Sequence, residues 1–145
     1  MRIDEVMSIG VRTTSPEASA QEAWEQMRLD RIRHLVVLRG RQVVGVISDR
    51  DLGGPKGARL RDGRSVAELM TGMPITAAPD TTVRRAANLL RGRTIGCLPV
   101  MEEQKLVGIV TLADLLELIG RGGARSERAL TTRRSRRWQP PRGAR

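Results

Sequence analysis

The sequence predicts an α+β protein made of two copies of one small unit, packed sheet to sheet about a pseudo-twofold axis. Three observations predict it. A seven-residue stretch occurs twice, as Gly45-Val46-Ile47-Ser48-Asp49-Arg50-Asp51 and as Gly108-Ile109-Val110-Thr111-Leu112-Ala113-Asp114, 63 residues apart. Sliding residues 2–52 onto 65–115 needs no gap and gives 13 identical pairs among 51, where average usage would give about three. The runs at 43–47 and 106–110 are apolar without alternation, so both faces of each sheet should be covered. A unit of about 60 residues can cover one face with its own helices but not both, so the two should share the other and leave clefts between them.

Each unit opens with a short helical turn, clearest at Ser65-Val66-Ala67-Glu68-Leu69-Met70, where Ser65 and Glu68 have capping-box spacing. An extended piece follows, Val11 to Thr14 and Ile75 to Ala78, closed by Pro16 and Pro79. Ser19 and Thr82 then stand as N-caps. Ala20, Ala23, Trp24 and Met27, like Val83, Ala86, Ala87 and Leu90, fall at i, i+3, i+4, i+7, the stripe of an amphipathic helix. Next comes a hairpin, His34 to Leu38 turning through Arg39-Gly40-Arg41 into Val43 to Ile47, and its partner runs Cys97 to Met101 and Leu106 to Val110. A second helix should begin at each seven-residue motif. Each unit is thus a helical turn, a strand, a helix, two strands and a helix, with a small three-stranded sheet. The predicted boundaries are repeat 1 at 1–56, a linker at 57–64, repeat 2 at 65–120 and a basic, disordered tail at 121–145.

The formal charge of +10 divides unevenly. Residues 1–119 hold 17 Lys/Arg against 15 Asp/Glu, whereas 120–145 hold nine Arg against Glu127 alone. The folded part is nearly neutral and the basicity belongs to the tail. With no Phe, no Tyr and two Trp, the core must be built from Val, Ile, Leu, Met and Ala. Acidic Asp4 and Glu5 precede any apolar run, which argues against a signal peptide, and no apolar stretch approaches the roughly 20 residues of a membrane span. The single cysteine, Cys97, excludes an internal disulfide and fits a reducing compartment. A cytoplasmic location is expected. The glycine-rich segment Gly53 to Gly63 lacks nucleoside-triphosphatase spacing, since Lys56 is not followed by Ser or Thr, and reads as a mobile linker with basic side chains.

The recurring motif supports two readings. In the first, Ser48 and Thr111 are N-caps with Asp51 and Asp114 in the first helical turn, and Gly45 and Gly108 permit close packing. In the second, the same turn holds a nucleotide. The helix N-terminus and the hydroxyl of Ser48 or Thr111 would receive a phosphate, the aspartate would accept hydrogen bonds from both ribose hydroxyls, and the glycine would let the ligand approach the backbone. Residue chemistry alone leaves both open.

The two units resemble the cystathionine β-synthase (CBS) domain, and together a CBS pair, or Bateman module. The resemblance is carried by Val6-Met7-Ser8 with Leu69-Met70-Thr71, by Val11-x-Thr13-x-x-Pro16 with Ile75-Thr76-x-x-Pro79, by Leu98-Pro99-Val100 and by the two motifs, and covers about residues 1–119. It implies an αβαββα fold per unit, clefts that take an adenine nucleotide or adenosyl ligand (AMP, ADP, ATP or S-adenosylmethionine), and a homodimer. It implies ribose-binding acids at Asp51 and Asp114, phosphate-side hydroxyls at Ser48 and Thr111, and cleft-lining positions at Thr13 and Thr76. The base would lie near Val36, Val37, Pro99 and Val100. Arg50 is a phosphate contact in the first copy, replaced by Ala113 in the second.

Other chemistries find little support. His34 and Cys97 occupy equivalent positions, but two ligands do not make a zinc site, and no nucleophile has a histidine and acid at useful spacing. No catalysis, required cofactor or metal is expected. Trp24 should belong to the core or a dimer interface. The Arg133-Arg134-Ser135-Arg136-Arg137 run with Trp138 is a solvated tail that offers phosphate backbones, an acidic protein or an anionic membrane surface a partner. The sequence therefore points to a stand-alone regulatory module of the energy-sensing kind, with an adenine nucleotide as regulatory ligand. The alternative is a nucleic-acid-associated or adaptor protein that uses the duplicated core as a dimerising platform.

Overall fold

A computed structural model describes residues 1–72, 74–93 and 95–121. The described chain contains β1 (Thr13–Thr14), α1 (Ala20–Asp30), β2 (His34–Arg39), β3 (Gln42–Ser48), α2 (Ala58–Arg61), α3 (Val66–Leu69), β4 (Thr71–Gly72), α4 (Val83–Arg93), β5 (Cys97–Glu102), β6 (Lys105–Thr111) and α5 (Leu112–Gly120), with a 3-10 turn at Ile3–Glu5 and another at Gly54–Lys56.

The compact units are not the sequence repeats. One comprises Val11–Pro74 and the other Met1–Gly10 together with the chain from Ile75 onward. Each unit takes its opening turn from the other repeat.

In the Val11–Pro74 unit the sheet order is β1-β2-β3-β4. β1 runs parallel to β2, with Thr13 opposite Val36, and β2, β3 and β4 are successively antiparallel. The sequence expectation of three strands omits β4, whose Thr71 and Gly72 pair with Val46 and Gly45. Helix α1 begins where expected, with Ser19 Oγ accepting from the Glu22 amide at 3.0 Å. Ala20, Ala23, Trp24 and Met27 are buried as the stripe predicts, and pack with Leu35, Val37, Ile47, Leu52 and Val66. Two-residue periodicity places Val36 and Val46 on the opposite face, and both are buried too.

The segment after the first motif departs from expectation. No second helix starts there. One helical turn closes through Leu52 N–H to Ser48 O, 3.3 Å, and is broken at Gly53 and Gly54, whose φ values of 87° and 65° lie in the left-handed region. Nor is the glycine-rich stretch a loose linker. Arg61 is 3% exposed and donates through Nη1 to the carbonyls of Leu52 (2.7 Å) and Gly54 (2.8 Å), and through Nε to Gln21 Oε1 (3.0 Å). Its guanidinium lies 4.3 Å from the centroid of the Trp24 ring. One side chain thus satisfies backbone acceptors that a helix would have satisfied internally.

In the other unit β5 and β6 form an antiparallel hairpin. The expected first strand, Ile75 to Ala78, is reduced to a bridge between Ala77 and Val100. In the first copy Val36 N–H donates to Arg12 O at 3.2 Å. Its counterpart Pro99 has no N–H, so the ladder cannot extend. Ser8 bridges Ile109 on the other side of the hairpin, where β4 stands in the first copy. The core gathers Ile3, Val6, Met7, Ala86, Leu90, Leu98, Val100, Val110 and Leu115. Thr82 caps α4, with Oγ1 accepting from Arg85 N at 3.1 Å. Ala87, expected on the buried stripe with Val83, Ala86 and Leu90, is exposed. Its counterpart Trp24 is buried with Arg61 lying over it, and among the described residues no such segment follows the second motif.

Both hairpins carry the same irregularity, between Val37 and Leu38 and between Val100 and Met101, the signature of a bulge copied with the repeat. Among the described residues no helix is long and apolar enough to cross a membrane.

Candidate functional site

The Ser48-to-Asp51 motif sits at the C-terminal end of β3. Asp51 N–H donates to Ser48 Oγ at 3.1 Å, and Ser48 N–H donates to Asp51 Oδ2 at 2.9 Å. The second copy repeats this closely: Asp114 N–H to Thr111 Oγ1 is 3.1 Å and Thr111 N–H to Asp114 Oδ2 is 2.9 Å. Each motif is a reciprocal capping box with aspartate at the third position. The capping reading of the sequence is therefore realised in both copies.

Capping uses one carboxylate oxygen and fixes the rotamer of both side chains. Asp51 and Asp114 are half-buried, as are Ser48 and Thr111. The second turn opens a nine-residue helix, α5, whose N-terminal amides and dipole add to any anion's stabilisation. The first turn leads into the Arg61-pinned segment instead. Arg50, exposed in the first turn, has its amide held by Asp49 Oδ1 at 2.8 Å. A second pair of matched backbone bonds anchors each turn to its own unit: Asp49 N–H to Arg33 O, and Leu112 N–H to Gly96 O, both 2.9 Å.

Strand register sorts the remaining predicted residues. Thr13 pairs with Val36 and Val36 with Val46, and Ser48 lies two residues beyond Val46. These four share one face of the sheet. From strand spacing and rise, Thr13 and Ser48 stand about 12 Å apart across it. In the other unit Pro99, opposite Ile109, and Thr111 share the corresponding face. Thr76 is exposed and lies outside any strand.

Four predicted residues belong to the other face, and this corrects the sequence expectation for them. Val37 and Val100 are part of the helix-side cores, so their side chains cannot border a ligand lying on Val36 or Pro99. Gly45 and Gly108 are opposite Val37 and Val100 in the register. A Cβ on Gly45 would meet Met70 Sδ at 2.6 Å and Thr71 O at 2.8 Å, and one on Gly108 would meet Met7 Sδ at 2.5 Å and Ser8 O at 3.1 Å. On that face the glycines admit a methionine and a crossing backbone. The signal was present in the sequence, since Met7/Met70 and Gly45/Gly108 are both identical pairs of the repeat.

Among the described residues no group of three or more His, Cys, Asp or Glu could hold a metal ion. The Arg-rich run and Trp138 lie outside the described residues. Arg61 was missed from sequence because nothing in a glycine-rich, basic segment distinguishes the one arginine that turns inward.

Comparison with known proteins places this geometry. The CBS domain model matches residues 3–52 and 66–121. The chain is similar to the CBS domain-containing protein YhcV of Bacillus subtilis, 31% identical over 114 residues that cover 78% of this chain and 81% of the relative. It also matches inosine-5'-monophosphate dehydrogenase of Korarchaeum cryptofilum, 37% identical over 106 residues, but these are 72% of this chain and 21% of that enzyme. Among solved structures it resembles the CBS domain pair of protein MJ0100 in complex with 5-methylthioadenosine and S-adenosyl-L-methionine (TM-score 0.75, 27% identity, 84% of this chain and 98% of that one). It likewise resembles CBSX2 in complex with AMP (TM-score 0.70, 26% identity, 85% and 98%).

Proposed function

Since the chain belongs to the CBS domain family, with both repeats matched, we propose that it is a non-catalytic regulatory module that binds an adenine nucleotide or adenosyl compound at its two capped turns. The observation that carries the reading is the duplicated Ser/Thr–Asp turn at the end of a strand that shares one face with Thr13 and Val36 in one copy and with Pro99 in the other. Structural relatives were solved with AMP and with adenosyl compounds. In this reading Asp51 and Asp114 take the ribose hydroxyls, Ser48 and Thr111 face the phosphate, Thr13 and Thr76 flank the ligand, and Arg50 gives the first copy a phosphate contact that Ala113 denies the second. Val36 and Pro99 lie against the base. The setting is cytoplasmic.

The capping box itself supplies a discriminating test. Glutamate at its third position caps at least as well as aspartate, but its longer arm displaces the carboxylate. Asp51→Glu and Asp114→Glu are therefore expected to leave stability within about 0.5 kcal/mol of the parent while abolishing the thermal shift given by AMP, ADP, ATP or S-adenosylmethionine. At 100 times its dissociation constant a ligand adds about 2.7 kcal/mol. Full retention of that shift in the double variant, or no shift with any of the four at millimolar concentration, would defeat the proposal.

Dimerisation through the same module is supported by α5. Leu112, Leu116 and Ile119 are 49%, 59% and 70% exposed and fall at i, i+4 and i+7, one uncharged stripe. The chain that follows carries nine Arg between 120 and 145 and offers little apolar cover, so a second copy is the occupant. The tail's charge favours a second reading, association with nucleic acid. It predicts an affinity whose logarithm falls linearly with that of salt and that vanishes when residues 121–145 are removed.

A further inference from the structure

We propose that a pocket in the Val11–Pro74 unit, built on Arg61, binds the phosphate group of a small phosphorylated compound, at a place distinct from the Ser48–Asp51 turn. The pocket has a volume of about 750 Å³ and is lined by Arg59, Arg61 and Arg64 together with Ser19, Ser65 and the carboxylates of Glu17 and Asp62. That volume is of the size that takes small organic ligands.

The argument rests on how Arg61 is satisfied. It is 3% exposed, and its described hydrogen-bond partners are neutral: the carbonyls of Leu52 and Gly54 and Gln21 Oε1. No carboxylate pairs with it among the described residues. Its Nη2 donates to none of the described residues, yet it is not an enclosed unpaired atom, which among the described residues Asp4 Oδ1 alone is. Nη2 therefore keeps a little contact with solvent, and Arg61 is one of the residues that line the pocket. A buried guanidinium without a counter-ion is costly, and an anion on Nη2 completes it.

The surroundings select a phosphate. Arg59 and Arg64 flank Arg61 on the same segment, are exposed, and make no ion pair among the described residues. Glu17 is already engaged by Arg39 at 3.2 Å, leaving three guanidinium groups against the exposed Asp62. Three planar donors exceed what one carboxylate can accept but match a phosphate's oxygens. The inference does not rest on the nucleotide reading, because none of these residues belongs to the capped turns.

Trp24, under the Arg61 guanidinium, reports on the pocket. In full-length protein with Trp138→Phe, Trp24 is the sole tryptophan. Its emission is followed while inorganic phosphate, and separately ribose 5-phosphate, is titrated at ionic strength held constant with sodium chloride. A saturable change is expected, with the midpoint weakened about tenfold or more in Arg59→Ala/Arg64→Ala, whose exposed side chains can be removed without unfolding the unit. Tighter binding of the sugar phosphate assigns the rest of the pocket to an organic moiety, and tighter binding of inorganic phosphate assigns it to the free ion. A change that chloride reproduces, no saturation, or an unaltered midpoint in the double variant would overturn the proposal.

Discussion

Gly45→Ala and Gly108→Ala are the same substitution at equivalent positions of a duplicated hairpin, yet the structure predicts different costs. A Cβ on Gly108 would overlap Met7 Sδ (2.5 Å) and touch Met7 Cγ (3.0 Å), while the nearest backbone atom, Ser8 O, is 3.1 Å away. A thioether can swing aside, so the residual strain is a few tenths of an ångström at one carbonyl. A Cβ on Gly45 meets Met70 Sδ at 2.6 Å, but also Thr71 O at 2.8 Å. That carbonyl belongs to β4, which pairs with β3, so the strand itself must move. Overpacking of this kind costs about 1–3 kcal/mol, and alanine in a strand recovers about 0.5–1 kcal/mol of backbone entropy. The expected losses are about 2 kcal/mol for Gly45→Ala and under about 1 kcal/mol for Gly108→Ala. Urea unfolding followed by far-ultraviolet circular dichroism, with slopes compared, measures both. Shortening the methionine should separate the causes: Met7→Ala on the Gly108→Ala background removes the added overlap, whereas Met70→Ala on Gly45→Ala leaves the clash with Thr71. Equal costs at the two glycines, or coupling of the same size in both double-mutant cycles, would refute the assignment of the Gly45 constraint to backbone.

Arg61→Ala should destabilise by about 3 kcal/mol or more, because the Leu52 and Gly54 carbonyls lose their donors and Trp24 its cover. Arg61→Lys should recover little of this in the same unfolding assay, since an ammonium cannot reach three acceptors in one plane. The β5–β6 turn places Glu103 and Gln104 at φ of 50° and 65°. Gln104→Gly should therefore raise stability by about 0.5–1 kcal/mol, visible as a melting temperature roughly 2–4 °C higher. Leu116→Glu, at the centre of the exposed α5 stripe, should halve the mass measured by light scattering and remove the dependence of the unfolding midpoint on protein concentration.

Much of the fold was legible because the duplication let two noisy signals be read as one. Helix starts at Ser19 and Thr82, both hairpins and both capped turns follow from local chemistry that each copy repeats. What escaped was non-local. The face that Val37 and Gly45 occupy depends on pairing register, which periodicity in a continuously apolar run does not reveal. The lost strand at Ile75 hinges on Pro99, remote in sequence but opposite in the sheet. The missing helix after Asp51 was announced by Gly53-Gly54-Pro55, yet that Arg61 would replace its hydrogen bonds had no sequence signal. In the two turns the reciprocal Ser/Thr–Asp capping was found by spacing, whereas the methionines against Gly45 and Gly108 were not, because ligand approach and methionine packing demand the same absent Cβ.

The exchange of opening segments also governs the order in which the protein can be made. During synthesis, residues 1–10 have no binding site until the chain beyond residue 75 has been made, whereas the Val11–Pro74 unit is complete as soon as Pro74 emerges. Residues 1–10, although they precede the Val11–Pro74 unit in the chain, thus settle after it. A nascent chain arrested near residue 60 lacks α3 and β4 and leaves one edge of its sheet unprotected.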